Sequence, residues 1–123
     1  MAVTERWKKL VSELALKGQG SPVAVTYVGL ADSTFNAEAS PVLGEISGTN
    51  YGRVPVLWTD FVDDMNNTSA VSWSVAGTWP SIRNVFLSDS SQGGGVLMWV
   101  ATGVITLDDG DVISIAIGDL ILT

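Results

Sequence analysis

The sequence contains no cysteine and no histidine. Their absence excludes disulfide frameworks, Cys/His zinc sites, Ser-His-Asp hydrolysis, cysteine nucleophiles and histidine-ligated haem. Charged residues are also scarce, at 15% of the chain against about 25% in an average soluble domain. Much of the surface is therefore uncharged, and we expect a partner to cover part of it.

Long apolar segments are lacking as well. No run reaches the ~18 residues of a membrane-spanning helix. Glu5, Lys8 and Lys9 occupy the place where a secretory signal has its apolar core. We therefore expect neither a membrane span nor a secretory signal.

The basic residues are unevenly distributed. Residues 1–17 hold four basic and two acidic side chains, whereas residues 18–123 hold two basic and eleven acidic ones. An acidic body repels phosphate, so we do not expect nucleic-acid binding. The basic N-terminal segment is either a solvated helix face or a docking element for an acidic partner.

One helix is predicted, at residues 4–17. Thr4 is a good N-cap, and Gly18 follows Lys17 as a candidate C-cap. The residues between them form one apolar stripe at helical spacing: Trp7, Leu10, Val11 and Leu14. A helix of this length is marginal alone, so the stripe must pack on its own domain or on a neighbour.

After Pro22 the helical period disappears, and short β-branched and aromatic segments alternate with turn residues. We predict strands at 23–30, 51–58, 69–75, 82–87, 96–105, 112–117 and 120–122. Residues 32–50 are predicted as a long loop and 63–67 as a turn. Pro55 places its strand at an edge or a bulge, and the apolar run 96–105 suggests a central strand covered on both faces.

This spacing predicts an all-β fold. We expect an antiparallel β-sandwich, jelly-roll-like, or a small barrel, with about seven or eight strands and one N-terminal α-helix. The length fits one domain over residues 1–123, with the helix at 4–17 and the β-sandwich at 22–123.

Acidic and glycine-rich clusters suggest no chemistry. Asp108, Asp109 and Asp111 lack the spacing of a calcium loop and are interpreted as a hairpin turn. The second acidic cluster, Asp60, Asp63 and Asp64, is interpreted as an acidic turn and not as a glycosidase pair. Residues 93–95 precede a strand and lack the lysine of a phosphate loop. We predict no enzyme, catalytic residue, metal or cofactor.

Five tryptophans in a chain of this size are unusual. They act either as core and interface anchors or as platforms for sugars. Trp73 and Trp99 alternate within apolar strands and are predicted in the core. Trp79, in a turn, is predicted to be the exposed tryptophan, with the alternative that it plugs the end of the sandwich. The residues predicted to form an interface are Trp7, Lys8, Leu10, Val11, Leu14, Arg53, Trp58 and Trp79.

The order of several short segments resembles a family of small tailed-bacteriophage virion proteins, commonly labelled tail fibre proteins. Residues 51–54 resemble a "GYARV" box, 71–79 an "ITFPTATGSWG" segment and 82–89 an "ITHVGLFDA" segment. Residues 25–33, 94–99 and 109–120 extend the likeness over nearly the whole chain. Asn84 stands where that pattern has its histidine.

The resemblance implies a structural virion protein that is not an enzyme. A compact β-domain with a docking helix is the form expected of a capsid decoration (cement) protein. We therefore expect the major capsid protein and further copies of this chain, as a trimer, to be its partners on the capsid surface. The alternatives are a tail fibre or tail tip component with tail proteins as partners, and a carbohydrate-binding module.

Overall fold

A computed structural model describes residues 2–20, 23, 25–59, 65–116 and 121–122. These residues form ten strands and one helix. In chain order they are β1 (Ala2–Val3), α1 (Glu5–Lys17), β2 (Thr26–Asn36), β3 (Leu43–Glu45), β4 (Val54–Val56), β5 (Met65–Asn66), β6 (Val71–Ser74), β7 (Ile82–Ser88), β8 (Val96–Ile105), β9 (Val112–Ile115) and β10 (Ile121–Leu122).

The largest sheet has six antiparallel strands in the order β1-β8-β7-β2-β3, with β4 also paired to β2. β2 and β7 lie at its centre, with Leu30 opposite Val85. In the described residues β4 pairs with β2 alone, as expected for an edge strand that contains Pro55.

Two small antiparallel sheets, β6-β9 and β5-β10, complete the fold. The main core lies between the large sheet and β6. From the large sheet it contains Val28, Leu30, Val85 and Leu87, and from β6 it contains Val71 and Trp73. This two-layer arrangement confirms the predicted all-β antiparallel fold with an N-terminal helix.

A second, smaller cluster covers the other face of the large sheet. It contains Ala31, Phe86 and Val96, with Phe35 and Trp99 packed against it. The Phe86 ring stacks on Phe35 with 5.7 Å between ring centroids. Phe86 lies opposite Gly29 in the β2–β7 ladder, and a Cβ at Gly29 would meet the ring at 2.2 Å. The glycine therefore makes room for the aromatic ring.

The helix forms almost where its capping signals predict it. α1 spans Glu5–Lys17, with Thr4 as N-cap and Gly18 as C-cap at φ 64°. The Gly18 N–H donates to the Glu13 carbonyl, and Glu5 and Lys17 lie at the ends that suit their charges. No helix among the described residues is long and apolar enough to cross a membrane.

Three sequence predictions need correction. The predicted loop 32–50 is too long, because β2 continues to Asn36 and pairs with β3. The predicted turn at 63–67 contains β5 at its end. β8 is buried on both faces only in its first three residues, and Val100 and Val104 in its second half are exposed, because β1 pairs with β8 only as far as Trp99. Asp60, Asp63 and Asp64 lie outside the described residues.

Candidate interaction surface

The N-terminal segment attaches to the body through its first residues. β1 extends the large sheet, with Ala2 opposite Trp99 and Val3 opposite Met98. The Glu5 backbone N–H then donates to the Glu38 carboxylate at 3.2–3.3 Å, and Arg6 forms a 2.7 Å ion pair with Asp89. A carboxylate at the first helical N–H also suits the helix dipole. These contacts tie the start of the helix to three parts of the body.

Thr4 joins the strand to the helix and is almost fully buried. Its backbone N–H donates to the Leu97 carbonyl at 3.0 Å, and its hydroxyl donates to the Val96 carbonyl at 2.6 Å. The same hydroxyl oxygen accepts the N–H of Trp7 at 3.2 Å. One side chain therefore caps the helix and holds it on β8.

The apolar stripe of α1 is covered over only half its length. Trp7 and Leu10 are half-buried and pack against the main core of the same chain. Val11 and Leu14 continue the stripe but are 42% and 39% exposed, and Leu16, on the opposite face of the helix, is 83% exposed. We call residues 11–17 the helix overhang. Such exposed apolar side chains are typical of a surface that binds another chain.

The helix itself carries several charged side chains. Lys8 forms a 2.8 Å ion pair with Glu5, and this hydrogen bond raises the Lys8 pKa above its usual value. Lys9 and Lys17 are exposed on the same helix. The predicted interface residues Trp7, Lys8, Leu10, Val11 and Leu14 are therefore on one element, but only Lys8, Val11 and Leu14 are exposed.

Arg53 lies inside the body, so it offers almost no surface to a partner. Its side chain is 1% exposed. Its Nε and Nη2 donate to the two Glu45 carboxylate oxygens at 2.9 and 2.8 Å, and its Nη1 donates to the Ser90 carbonyl at 2.8 Å. The guanidinium also lies 5.2 Å from the Phe86 ring centroid. These contacts join the edge of the large sheet to the β7–β8 connection.

Tyr51 completes the cluster around Glu45. Its hydroxyl donates to Glu45 Oε2 at 2.6 Å and accepts the Leu30 backbone N–H at 3.1 Å. Burial, followed by the hydrogen bond to Glu45, raises the Tyr51 pKa far above its usual value. With Trp73 Nε1 donating to the Gly52 carbonyl at 2.7 Å, residues 51–53 form a structural hub.

The tryptophans are distributed differently from the prediction. Trp79 is 3% exposed, packs edge-on against Tyr51 and donates to the Thr49 carbonyl, so the expectation that it is the exposed tryptophan is wrong. Gly48 provides the space for its indole ring. Trp73 lies in the core as predicted, whereas Trp99 is only half-buried. Trp58 is half-buried and donates to the Thr26 hydroxyl.

The acidic turn after β8, residues 108–111, is held by hydrogen bonds to its carboxylates. Asp109 Oδ1 accepts the Gly77 N–H, and Asp111 Oδ2 accepts the Asp108 N–H, each at 2.8 Å. Two carboxylates thus act as turn acceptors. The turn is present, but the hairpin interpretation is wrong, because β8 pairs with β7 and β1 whereas β9 pairs with β6. Within the described ranges, no group of three or more acidic residues is placed to hold a metal ion.

Nearly the whole chain is similar to one family of known proteins. A family model described as Podophage GP4 fiber I protein gp80 matches residues 2–123. The chain belongs to this family. None of the curated proteins matches it. Membership in the fiber I family makes the chain a phage fibre-type structural protein, which agrees with the predicted resemblance.

In this fiber I family member, the segments that resemble the phage virion proteins contribute mainly to packing. In the "GYARV"-like box, Tyr51 and Arg53 form the hub, and Val54 pairs with Val28. Among the described residues, sequence reasoning misses eight large apolar side chains that are exposed: Val3, Leu16, Val25, Leu43, Leu57, Val100, Val104 and Val112. The exposure of Leu16 could have been found, because it lies opposite Trp7 on the helix.

Proposed function

We propose that this fiber I family member is a non-enzymatic structural subunit of a phage tail fibre, joined to a neighbouring virion chain through the overhang of α1. The observation that carries the proposal is the half-covered stripe, on which Trp7 and Leu10 pack against the body while Val11 and Leu14 remain exposed. The family description supports the fibre location.

The attachment of the helix suits such a joint. Thr4, Arg6 and Trp7 hold its first turns firmly on the body, so the overhang keeps a fixed direction. A preorganised apolar surface loses little conformational entropy on binding. The exposed cations Lys9 and Lys17 add attraction to a partner with acidic groups.

A second candidate is decoration of the major capsid protein, with the chain as a cement protein on the capsid surface. The accessible surface of 6916 Å² exceeds the roughly 6,300 Å² of a compact monomer of this mass, which suits a chain that is partly covered by a partner in either location. A compact body with a projecting helix fits a capsid surface as well as a fibre. A carbohydrate-binding module is less well supported, because Trp73 and Trp79 are buried.

The copy number per purified virion tests the location. Quantitative mass spectrometry against the major capsid protein is expected to give a few to a few tens of copies. Gold-labelled antibody is expected at the tail. A ratio near one copy per capsid protein would instead establish decoration, and absence from the particle would refute both proposals.

The docking role needs a matched pair of variants. Leu14→Lys adds a charge to the exposed stripe, whereas Ser12→Lys adds the same charge at another exposed helix position. Leu14→Lys is expected to reduce incorporation into particles at least tenfold, and Ser12→Lys to leave it near the wild-type level. Equal incorporation of both folded variants would refute docking through the stripe.

A further inference from the structure

We propose that the buried Arg53 is a positioning residue for α1, because it shapes the β7–β8 connection, residues 89–95, to which Arg6 of the helix is bound. In the part of the chain that the structure describes, Arg53 has no hydrogen bond to the helix itself. The inference deepens the proposed function, on which its biological meaning rests, by identifying what fixes the direction of the overhang.

Arg53 binds the inner side of the connection. Its Nη1 donates to the Ser88 hydroxyl at 3.2 Å and to the Ser90 carbonyl at 2.8 Å, and Asp89 lies between these two residues in the chain. The guanidinium is itself held in place, because Nε and Nη2 donate to the Glu45 carboxylate. The residues that flank Asp89 are therefore tied to the edge of the large sheet.

Arg6 binds the outer side of the same connection. Its Nη2 forms the 2.7 Å ion pair with Asp89. Its side chain also passes close to Gly95, where an added Cβ would lie 2.7 Å from the Cδ of Arg6. The first turn of α1 therefore depends on the positions of Asp89 and Gly95.

Both of these positions depend on Arg53. Asp89 is fixed by its two neighbours in the chain. Gly95 is fixed through the fully buried Ser88, whose hydroxyl accepts a bond from Arg53 and donates to the Gly95 carbonyl at 2.8 Å. A change at Arg53 can thus reach Arg6 by two routes, each a continuous series of contacts.

The connection needs such contacts to keep one shape. Residues 93–95 are glycines, and Gly93 and Gly94 have φ values of 59° and 62°. Glycine has more conformational freedom to lose than any other residue, so side-chain bonds must define the shape. The planar guanidinium of Arg53 binds Glu45 and the connection at once, which the single ammonium group of lysine cannot do.

Hydrogen exchange tests the link at the amides of Trp7 and Lys8, which donate to Thr4 in the first turn of α1. Arg53→Lys is expected to speed their exchange about fivefold or more. In an Arg6→Ala chain the contact is already lost, so adding Arg53→Lys should change the exchange less than about twofold. No acceleration, or equal acceleration in both backgrounds, would refute the proposal, because Arg53 would then act on stability alone.

The direction of the helix can be measured with spin labels, since the natural chain has no cysteine. Ser12→Cys on the helix and Ser33→Cys on β2 place both labels at exposed positions. Arg53→Lys should broaden the distance distribution in pulsed electron paramagnetic resonance. Val71→Ala is the control, because it removes buried core volume away from the connection and should leave the width unchanged. The same broadening in both variants would contradict a positioning role.

A second variant decides the question if Arg53→Lys does not fold. Ser88→Ala removes the hydroxyl that links Arg53 to Gly95 but leaves the ion pair with Glu45. It should speed exchange at the same two helix amides about threefold or more, and unchanged exchange would overturn the proposal. These experiments use the isolated chain, so their failure leaves the virion copy-number and incorporation experiments unaffected.

Discussion

The hydroxyl of Tyr51 replaces a strand partner at the backbone of Leu30, whose N–H donates to it at 3.1 Å. β4 pairs with β2 as far as Val28, and β3 resumes pairing at Ala31, so Leu30 lies between two short partners. The Leu30 carbonyl accepts the Ile46 N–H at 3.1 Å. The Tyr51 side chain and the backbone of Ile46 thus bond to Leu30 at the edge of the sheet, where neither β3 nor β4 pairs with it.

The unfolding free energy should fall at alkaline pH, because Tyr51 loses its proton more readily in the unfolded chain than in the folded one. Its pKa is raised by burial and by the hydrogen bond to Glu45, whereas in the unfolded chain it is about 10. The stabilisation is fully present below pH 10 and is lost as the pH rises toward the folded pKa. We expect the unfolding free energy to fall by about 1.4 kcal/mol per pH unit above pH 10. Urea titrations from pH 8 to 11.5 measure this slope.

The Tyr51→Phe variant should lose this slope. It should also be about 1–3 kcal/mol less stable at pH 8, because the Leu30 N–H loses its acceptor. Tyr27, the other tyrosine, provides the control, and Tyr27→Phe should keep the alkaline slope. An unchanged slope in Tyr51→Phe would show that another group causes it.

Arg53 should contribute strongly to the stability of the fold. Its guanidinium is buried with Glu45, and removing one member of such a pair costs about 3–5 kcal/mol. Arg53→Ala should show this loss in urea denaturation. Arg53→Lys should lose less stability than Arg53→Ala, because it keeps the positive charge. It should still be less stable than the natural chain, because lysine cannot form the paired hydrogen bonds. In a double-mutant cycle of Arg53→Ala and Glu45→Ala, the double variant should lose less than the sum of the two single variants, and strict additivity would argue against direct coupling.

Gly29 should tolerate no side chain. Its Cβ would lie 2.2 Å from the Phe86 ring, which also contacts Phe35 and Arg53. Gly29→Ala should therefore destabilise the fold by roughly 1–3 kcal/mol. Gly52→Ala is the matched control, because nothing lies within 4 Å of its Cβ, and its effect should be within about 0.5 kcal/mol. Similar midpoints for both variants in thermal unfolding would contradict this packing.

The sequence predicts local structure well where a signal is complete in itself. Thr4 and Gly18 cap the helix as their residue types suggest, and the alternation at Val71–Ser74 gives β6 its buried and exposed sides. The second half of β8 is different. Its apolar residues suggest burial, but coverage depends on how far β1 and the loops extend, which no local pattern contains.

The candidate surface could be predicted only in part. Helical spacing identifies the stripe that contains Val11 and Leu14, but not how much of it its own body covers. Arg53 and Trp79 suggest contact residues because exposed arginines and tryptophans often anchor interfaces. Their burial depends on Glu45 and Thr49, which lie in the segment predicted as a loop.

Thr4 should control the docking of the helix through its hydroxyl group. Thr4→Val keeps the shape but removes both the N-cap and the hydrogen bond to the Val96 carbonyl. We expect a loss of about 1–2 kcal/mol, with faster hydrogen exchange at the first turn of α1. Thr4→Ser keeps the hydroxyl and should retain most of the protection. If Thr4→Val exchanges as slowly as the natural chain, the remaining contacts hold the helix without the hydroxyl: the β1–β8 pairing, the bonds of Glu5 and Arg6 to Glu38 and Asp89, and the packing of Trp7 and Leu10.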